Sequence, residues 1–275
     1  MAILLSIARN NTKEEKGPIP FFKTMKTIAI SGKGGTGKTT LAALIIRWLS
    51  EQRETPILAV DADANVNLND LLGKELKDTL GSIREEVKTT AHKLGSGMTK
   101  QQFIEYKIQA SLVETPDFDL IAMGRPEGPG CYCYVNNLLR DILKTLRANY
   151  KYVVIDNQAG MEHLSRQTSQ NIDYLLIVSD PSVRGIRAAG KISRLIKELD
   201  TRVQEKHLVL NRVKGSVPQE VEDAIQDEGL ALLSSLPHDS QVLEMDQKGK
   251  TIDKIPADSP VYKALDRLLT KLLTG

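Results

Sequence analysis

The chain has 275 residues, of which 41% are hydrophobic, and a net charge of +2. That length supports a sizeable single α/β core, and no apolar run reaches the ~18 residues that would cross a bilayer as a helix. The near-neutral balance has no Lys/Arg block that would mark a nucleic-acid surface, and with two cysteines and no secretory signal the expectation is a reducing cytoplasm.

Residues 1–24 read as a flexible extension, because Lys13-Glu-Glu-Lys-Gly-Pro-Ile-Pro20 is polar and broken by proline. Met25 directly precedes the first strand, so translation starting there is the expectation. The remaining residues, 25–275, read as one nucleotide-binding domain.

Thr27 to Ile30 is a β-branched, apolar strand that leads into Ser31-Gly-Lys-Gly-Gly-Thr-Gly-Lys-Thr-Thr40. Gly32, Gly34, Gly35 and Gly37 let the backbone curl until successive N–H groups face one anion. Beyond the loop, Leu41, Leu44, Ile45, Trp48 and Leu49 recur at helical spacing. Phosphate is therefore expected at a helix N-terminus, with the amides of Gly34, Gly35, Thr36, Gly37 and Thr40 around it. Lys38 reaches the β- and γ-phosphates, and the Thr39 hydroxyl completes a Mg²⁺ shell.

Further strands are expected over Ile57–Val60, Phe118–Met123, Tyr152–Ile155, Tyr174–Val178, His207–Leu210 and Leu230–Leu233. Helices are expected over Val135–Ala148, Ser182–Leu199, Gln219–Gln226 and Pro260–Leu273. The alternation predicts a P-loop NTPase three-layer sandwich of the α/β class, with a mostly parallel central sheet. Between residues 73 and 117 lies a polar helical insertion, where Thr99-Lys-Gln-Gln102 forms a capping box ahead of Phe103 and Tyr106. A solvated covering layer and a client-recognition element are its two readings.

Open α/β sheets place their ligands at the carboxyl ends of strands. Asp61-Ala-Asp63 and Asp156-Asn-Gln-Ala-Gly160 both lie there. Asp156 suits a carboxylate that steadies Mg²⁺-bound water. Asn211 and Pro237 also end apolar runs, as ordinary turn formers do.

The final segment from Ser259 is amphipathic. Ser259 is its N-cap and Pro260 its first helical residue, and Val261, Leu265, Leu268, Leu269 and Leu272 form one stripe. That stripe suits docking on a core more than on a membrane.

Lys33, five residues before Lys38, departs from the plain phosphate-loop pattern. The spacing G-K-G-G-T-G-K-T-T resembles the deviant Walker A loop of the family that includes MinD, ParA, arsenite-pump ATPases and the nitrogenase iron protein. The resemblance implies an ATP-gated homodimer in which Lys33 reaches the partner's nucleotide. It also implies that Lys33, Lys38 and Asp63 are catalytic, with Asp63 orienting the attacking water. Gly160 would sense the γ-phosphate through its N–H, and Asn211 and Pro237 would border the adenine.

Both cysteines fall in Gly128-Pro-Gly-Cys131-Tyr-Cys133-Tyr-Val-Asn-Asn137. Thiolates are soft metal ligands, and one Cys-x-Cys supplies half of a four-ligand site that a symmetric dimer would complete. Two reduced packing thiols are the competing reading. The run from Met123 to Tyr134, with Asp156 to Arg166, resembles the CooC-type accessory ATPases, nickel-insertion factors for carbon monoxide dehydrogenase with a branch serving acetyl-CoA synthase. That resemblance implies Ni²⁺, or Zn²⁺ as a substitute, at Cys131 and Cys133 on the dimer axis. It implies either apoenzyme as partner; no nucleic acid is expected from the near-neutral charge and no membrane from the core-docking stripe. The alternatives are a MinD/ParA-like positioning ATPase and an iron–sulfur reductase resembling the nitrogenase iron protein, although no cysteine follows Cys133. His92, His163, His207 and His238 are scattered and add no metal-binding tract.

Overall fold

In a computed structural model, the described residues are 25–90, 99–125, 137–139, 141, 143, 149–159, 171–198 and 202–274. The extension 1–24, the loop with Cys131 and Cys133, Gly160, and His92 and His163 lie outside them.

β1 (Lys26–Gly32) runs into the phosphate loop and α1 (Lys38–Glu51). β2 (Ile57–Ala62) and the short α2 (Leu68–Leu71) follow, then α3 (Leu80–Thr90) and α4 (Lys100–Ser111). β3 (Val113–Glu114) and β4 (Phe118–Ala122) precede a helical stretch recorded at 137–139, 141 and 143. β5 (Tyr152–Asn157), β6 (Asn171–Ser179), α5 (Val183–Glu198) and β7 (Arg202–Val213) continue the alternation. The chain then forms α6 (Gln219–Asp227), β8 (Leu232–Pro237), α7 (Ser240–Gln247) and α8 (Pro260–Thr274).

The eight strands form one sheet in the order β3-β4-β2-β5-β1-β6-β7-β8. Among the described residues only the β3–β4 pair is antiparallel. The expected strands all form. The one expected over Leu230–Leu233 is displaced to Leu232–Pro237, because Leu230 follows a left-handed Gly229 that closes α6.

Strands covered on both faces read as near-continuous apolar runs, as β2 and β5 do, buried over their whole lengths. One apolar cluster joins the sheet to α1 and α8, and the other joins it to α3, α5 and α6. The capping box at Thr99 is formed in both directions and starts α4. Leu80, Ile83 and Val87 of α3 are buried in the second cluster, so this part of the segment between 73 and 117 contributes core rather than only a wet cover.

The apolar stripe of α8 also faces inward, with Val261, Leu265, Leu268, Leu269 and Leu272 all buried. Polar contacts fasten α8 to α1. Trp48 Nε1 donates to Asp266 at 2.8 Å, the Tyr262 hydroxyl donates to Glu51 at 2.5 Å, and the Arg47 guanidinium lies 4.5 Å from the centre of the Tyr262 ring. Arg47 also donates to the carbonyls of Ile252 and Ile255, just before that helix. No helix among the described residues is long and apolar enough to cross a membrane.

Candidate nucleotide site

The strand order reverses around β1, whose neighbours are β5 and β6, so its carboxyl end opens on a crevice between diverging connections. The phosphate loop occupies that end. Gly35 and Gly37 take φ of 79° and 88°, a left-handed region that side chains seldom adopt. A Cβ on Gly37 would stand 2.4 Å from Asn211 Nδ2, so the residue is glycine for want of space as well as for conformation.

The loop is braced from within. The Lys33 carbonyl accepts from the Thr36 hydroxyl at 2.9 Å and from Lys38 Nζ at 3.3 Å. Lys38 is buried, and burial lowers its pKa while Asp156 and Asp63 oppose the shift. The Lys33 side chain is exposed. Gly34 lies against Ala159, the residue before Gly160, so the loop and the segment leaving β5 are neighbours.

Two carboxylates, Asp156 and Asp63, lie within electrostatic reach of Lys38, and Asp61 adjoins both. Asp61 and Asp156 sit opposite each other in the register of β2 and β5. Asp61 is fully buried, and burial pushes its carboxyl up. It accepts three backbone N–H bonds, from Asp63 at 3.0 Å, Asn67 at 3.0 Å and Leu68 at 2.9 Å, and so holds the turn that carries Asp63 and opens α2. Nothing in the sequence reading singled out Asp61 beyond its place in the Asp61-Ala-Asp63 run. The signal was available, because a carboxylate at a strand end, just ahead of a helix start, is a natural acceptor for orphan amides.

Asp63 is half-buried and its Oδ1 accepts from Asn65 N at 2.8 Å. Asp156 is buried and its pKa is pushed up to about 7. Desolvation is the main cause. A hydrogen bond from the Thr39 side chain and the charge of Lys38 work against it, while Asp61 and Asp63 reinforce it. Asp156 Oδ1 has no partner. A buried carboxylate oxygen left unpaired beside a loop hydroxyl suits a hydrated divalent cation. Thr39 and Asp156 therefore fit Mg²⁺, which would supply charge neutralisation for a polyphosphate.

Asn211 and Arg212 come from the end of β7. Asn211 Nδ2 donates to the Thr36 carbonyl at 2.8 Å, and Arg212 Nη1 donates to the Gly35 carbonyl at 3.0 Å. A cavity of about 310 Å³ adjoins them, lined also by Gly37, Thr40, Leu44 and Pro237. Asn211 and Pro237, drawn from separate strand ends, thus meet in one hollow next to the loop.

The chain from 27 to 252 matches the family model described as CobQ/CobB/MinD/ParA nucleotide binding domain. It belongs to that family. The chain is 42% identical to an uncharacterized ATP-binding protein of Methanocaldococcus jannaschii, over 90% of this chain and 98% of the relative. It is 27% identical to the carbon monoxide dehydrogenase accessory protein CooC of Rhodospirillum rubrum, over 81% and 87%. The septum site-determining protein MinD of Pyrococcus horikoshii, solved with Mg-ADP, superposes with a TM-score of 0.66 at 22% identity, over 91% of this chain and 96% of that one. The P-loop NTPase fold expected from the sequence is thus the fold observed, and this member of the family has the features of an ATP-binding protein.

Proposed function

We propose that the protein is an ATP-hydrolysing switch that works as a homodimer. The observation that carries this reading is the buried Asp156, joined to Thr39 and within electrostatic reach of Lys38 at the mouth of a glycine loop. In this reading the amides of Gly34, Gly35, Thr36, Gly37 and Thr40 bind phosphate oxygens, and Lys38 neutralises the β- and γ-phosphates. Thr39 and Asp156 hold hydrated Mg²⁺. Asp63 orients water for in-line attack, and Gly160 reports the γ-phosphate to the segment after β5. Such catalysis rests on positioning and charge stabilisation rather than on covalent chemistry. Adenine enters the cavity between Asn211 and Pro237. The exposed Lys33 crosses to the partner subunit's nucleotide.

The finer reading is a CooC-type maturation factor. Nickel, with zinc as a substitute, would bind the paired Cys131 and Cys133 of two subunits, and ATP turnover would deliver it to carbon monoxide dehydrogenase or acetyl-CoA synthase apoprotein in the cytoplasm. Likeness to CooC and the Cys-x-Cys loop support it. A MinD/ParA-like positioning ATPase is supported equally by likeness to MinD, although the buried stripe of α8 offers no apolar face to a membrane.

Anaerobic sizing with Ni²⁺ and ATP tests both. One nickel per two chains, lost in Cys131→Ser with Cys133→Ser while ATP binding persists, is the expected result. Retention of metal by the double variant would reject the thiol site. ATP-dependent flotation with liposomes and no metal uptake would favour positioning. Lys38→Ala should abolish ATP binding or turnover, and full activity in that variant would reject the switch itself.

A further inference from the structure

Arg212 stands out from the ordinary ending of a strand. It is a non-glycine residue in the left-handed region, with φ of 60°, a conformation that costs an L-residue energy and persists only where surrounding contacts hold it. Its amide N–H donates to Asn211 Oδ1 at 2.9 Å, and its side chain extends over the surface to the Gly35 carbonyl. Asn211 takes the next carbonyl, that of Thr36. Two consecutive peptide groups of the phosphate loop are thereby held from one side by two consecutive residues of β7.

The consequence follows from peptide geometry. In a trans peptide the C=O and N–H point in opposite directions. Fixing the Gly35 carbonyl toward Arg212 turns the N–H of Thr36 away from it, and fixing the Thr36 carbonyl toward Asn211 does the same for the N–H of Gly37. Without these bonds, the glycines at 35 and 37 leave the peptide planes free to rotate.

We propose that Arg212, with Asn211, is a positioning residue that pre-sets the Thr36 and Gly37 amides for phosphate, at the cost of backbone strain at its own position. The proposal rests on the reading of the loop as a polyphosphate cradle. Because Arg212 and Asn211 also line the neighbouring cavity, the groups that border the base are those that aim the phosphate amides. Arg212 acts through the loop and need not touch phosphate.

Arg212→Gly separates the two effects, since glycine accepts the left-handed backbone but removes the guanidinium. Binding of ADP and of inorganic tripolyphosphate, without base or ribose, is measured by calorimetry alongside urea unfolding of the ligand-free protein. Losing a hydrogen bond from a charged donor predicts an affinity loss of about tenfold or more for both ligands in Arg212→Gly, with ligand-free stability unchanged or raised. Arg212→Lys should recover part of the affinity while keeping the strain. A loss confined to ADP would make Arg212 a base contact and overturn the proposal. So would unchanged affinity for both ligands, or reduced stability with affinity intact. Failure of the unsubstituted protein to bind either ligand would instead overturn the cradle reading, and the proposal with it.

Discussion

Asp156→Asn in protein freed of nucleotide and divalent cations should stabilise the fold above neutral pH and not in acid. The carboxyl is 1% exposed, has one oxygen without a partner, and faces Asp61 across the β2–β5 ladder. Its pKa rises from 3.8 to about 7 on folding. Because the folded-state value is the higher one, the native state keeps the proton to higher pH. The stability tied to that proton is full below about pH 4 and is lost as pH rises toward and through 7. At about 1.4 kcal/mol per pH unit, the shift corresponds to roughly 4 kcal/mol. Asparagine carries no charge at any pH and can still accept from Thr39, so the variant escapes this loss. Urea unfolding of both proteins in chelator, from pH 4.5 to 8.5, should show a stability difference that grows in favour of the variant by a few kcal/mol. A difference that stays flat across this range would refute the account of Asp156 as a strained, unpaired carboxyl. Mg-ADP should narrow the gap at pH 8, because only the aspartate gains a cation partner.

Gly37→Ala adds a Cβ into 2.4 Å contact with Asn211 Nδ2 at a left-handed φ, and should cost about 1–3 kcal/mol of stability and reduce nucleotide binding at least tenfold. Urea unfolding and calorimetry check it, and wild-type affinity would show that the Asn211 contact is not needed. Leu265→Ala empties a position with 0% exposure between α8 and the sheet and should cost about 2–5 kcal/mol, read as a lower urea midpoint at unchanged slope. A loss below about 1 kcal/mol would mean that α8 is only loosely docked.

The sequence was most legible where one residue type answers one physical need. The glycines with Lys38 and Thr39 marked the loop, and the β-branched runs marked the parallel strands. The carboxylates at strand ends were visible in the sequence, but their mutual arrangement was not. That Asp61 and Asp156 face each other depends on β5 lying between β2 and β1, a non-sequential order that no local pattern records. Asn211 illustrates the same limit. Its residue type suited a base contact, yet its amide is engaged with the Thr36 carbonyl and the Arg212 N–H, which leaves one Nδ2 hydrogen and one Oδ1 lone pair for any base. Arg212 drew no notice because left-handed backbone in a non-glycine residue has no sequence signature. The short α7 also escaped notice. Its start is fixed by Asp239, which accepts from Gln241 N and from Val261 N of α8, a tertiary bond as much as a local cap.

The fastening of α1 to α8 has a mechanical consequence. Helix α1 begins at the lysine that would meet phosphate and ends among Arg47, Trp48 and Glu51, each tied to the C-terminal segment. A rod anchored at its far end and buried along its length does not swing when its near end gains or loses charge. Under the proposed switch, movement would fall instead on elements such as the Asp63 turn, whose hydrogen bonds among the described residues run only to Asp61 and within the turn itself. In that scheme α1 would be the fixed part and the Asp63 turn a moving one.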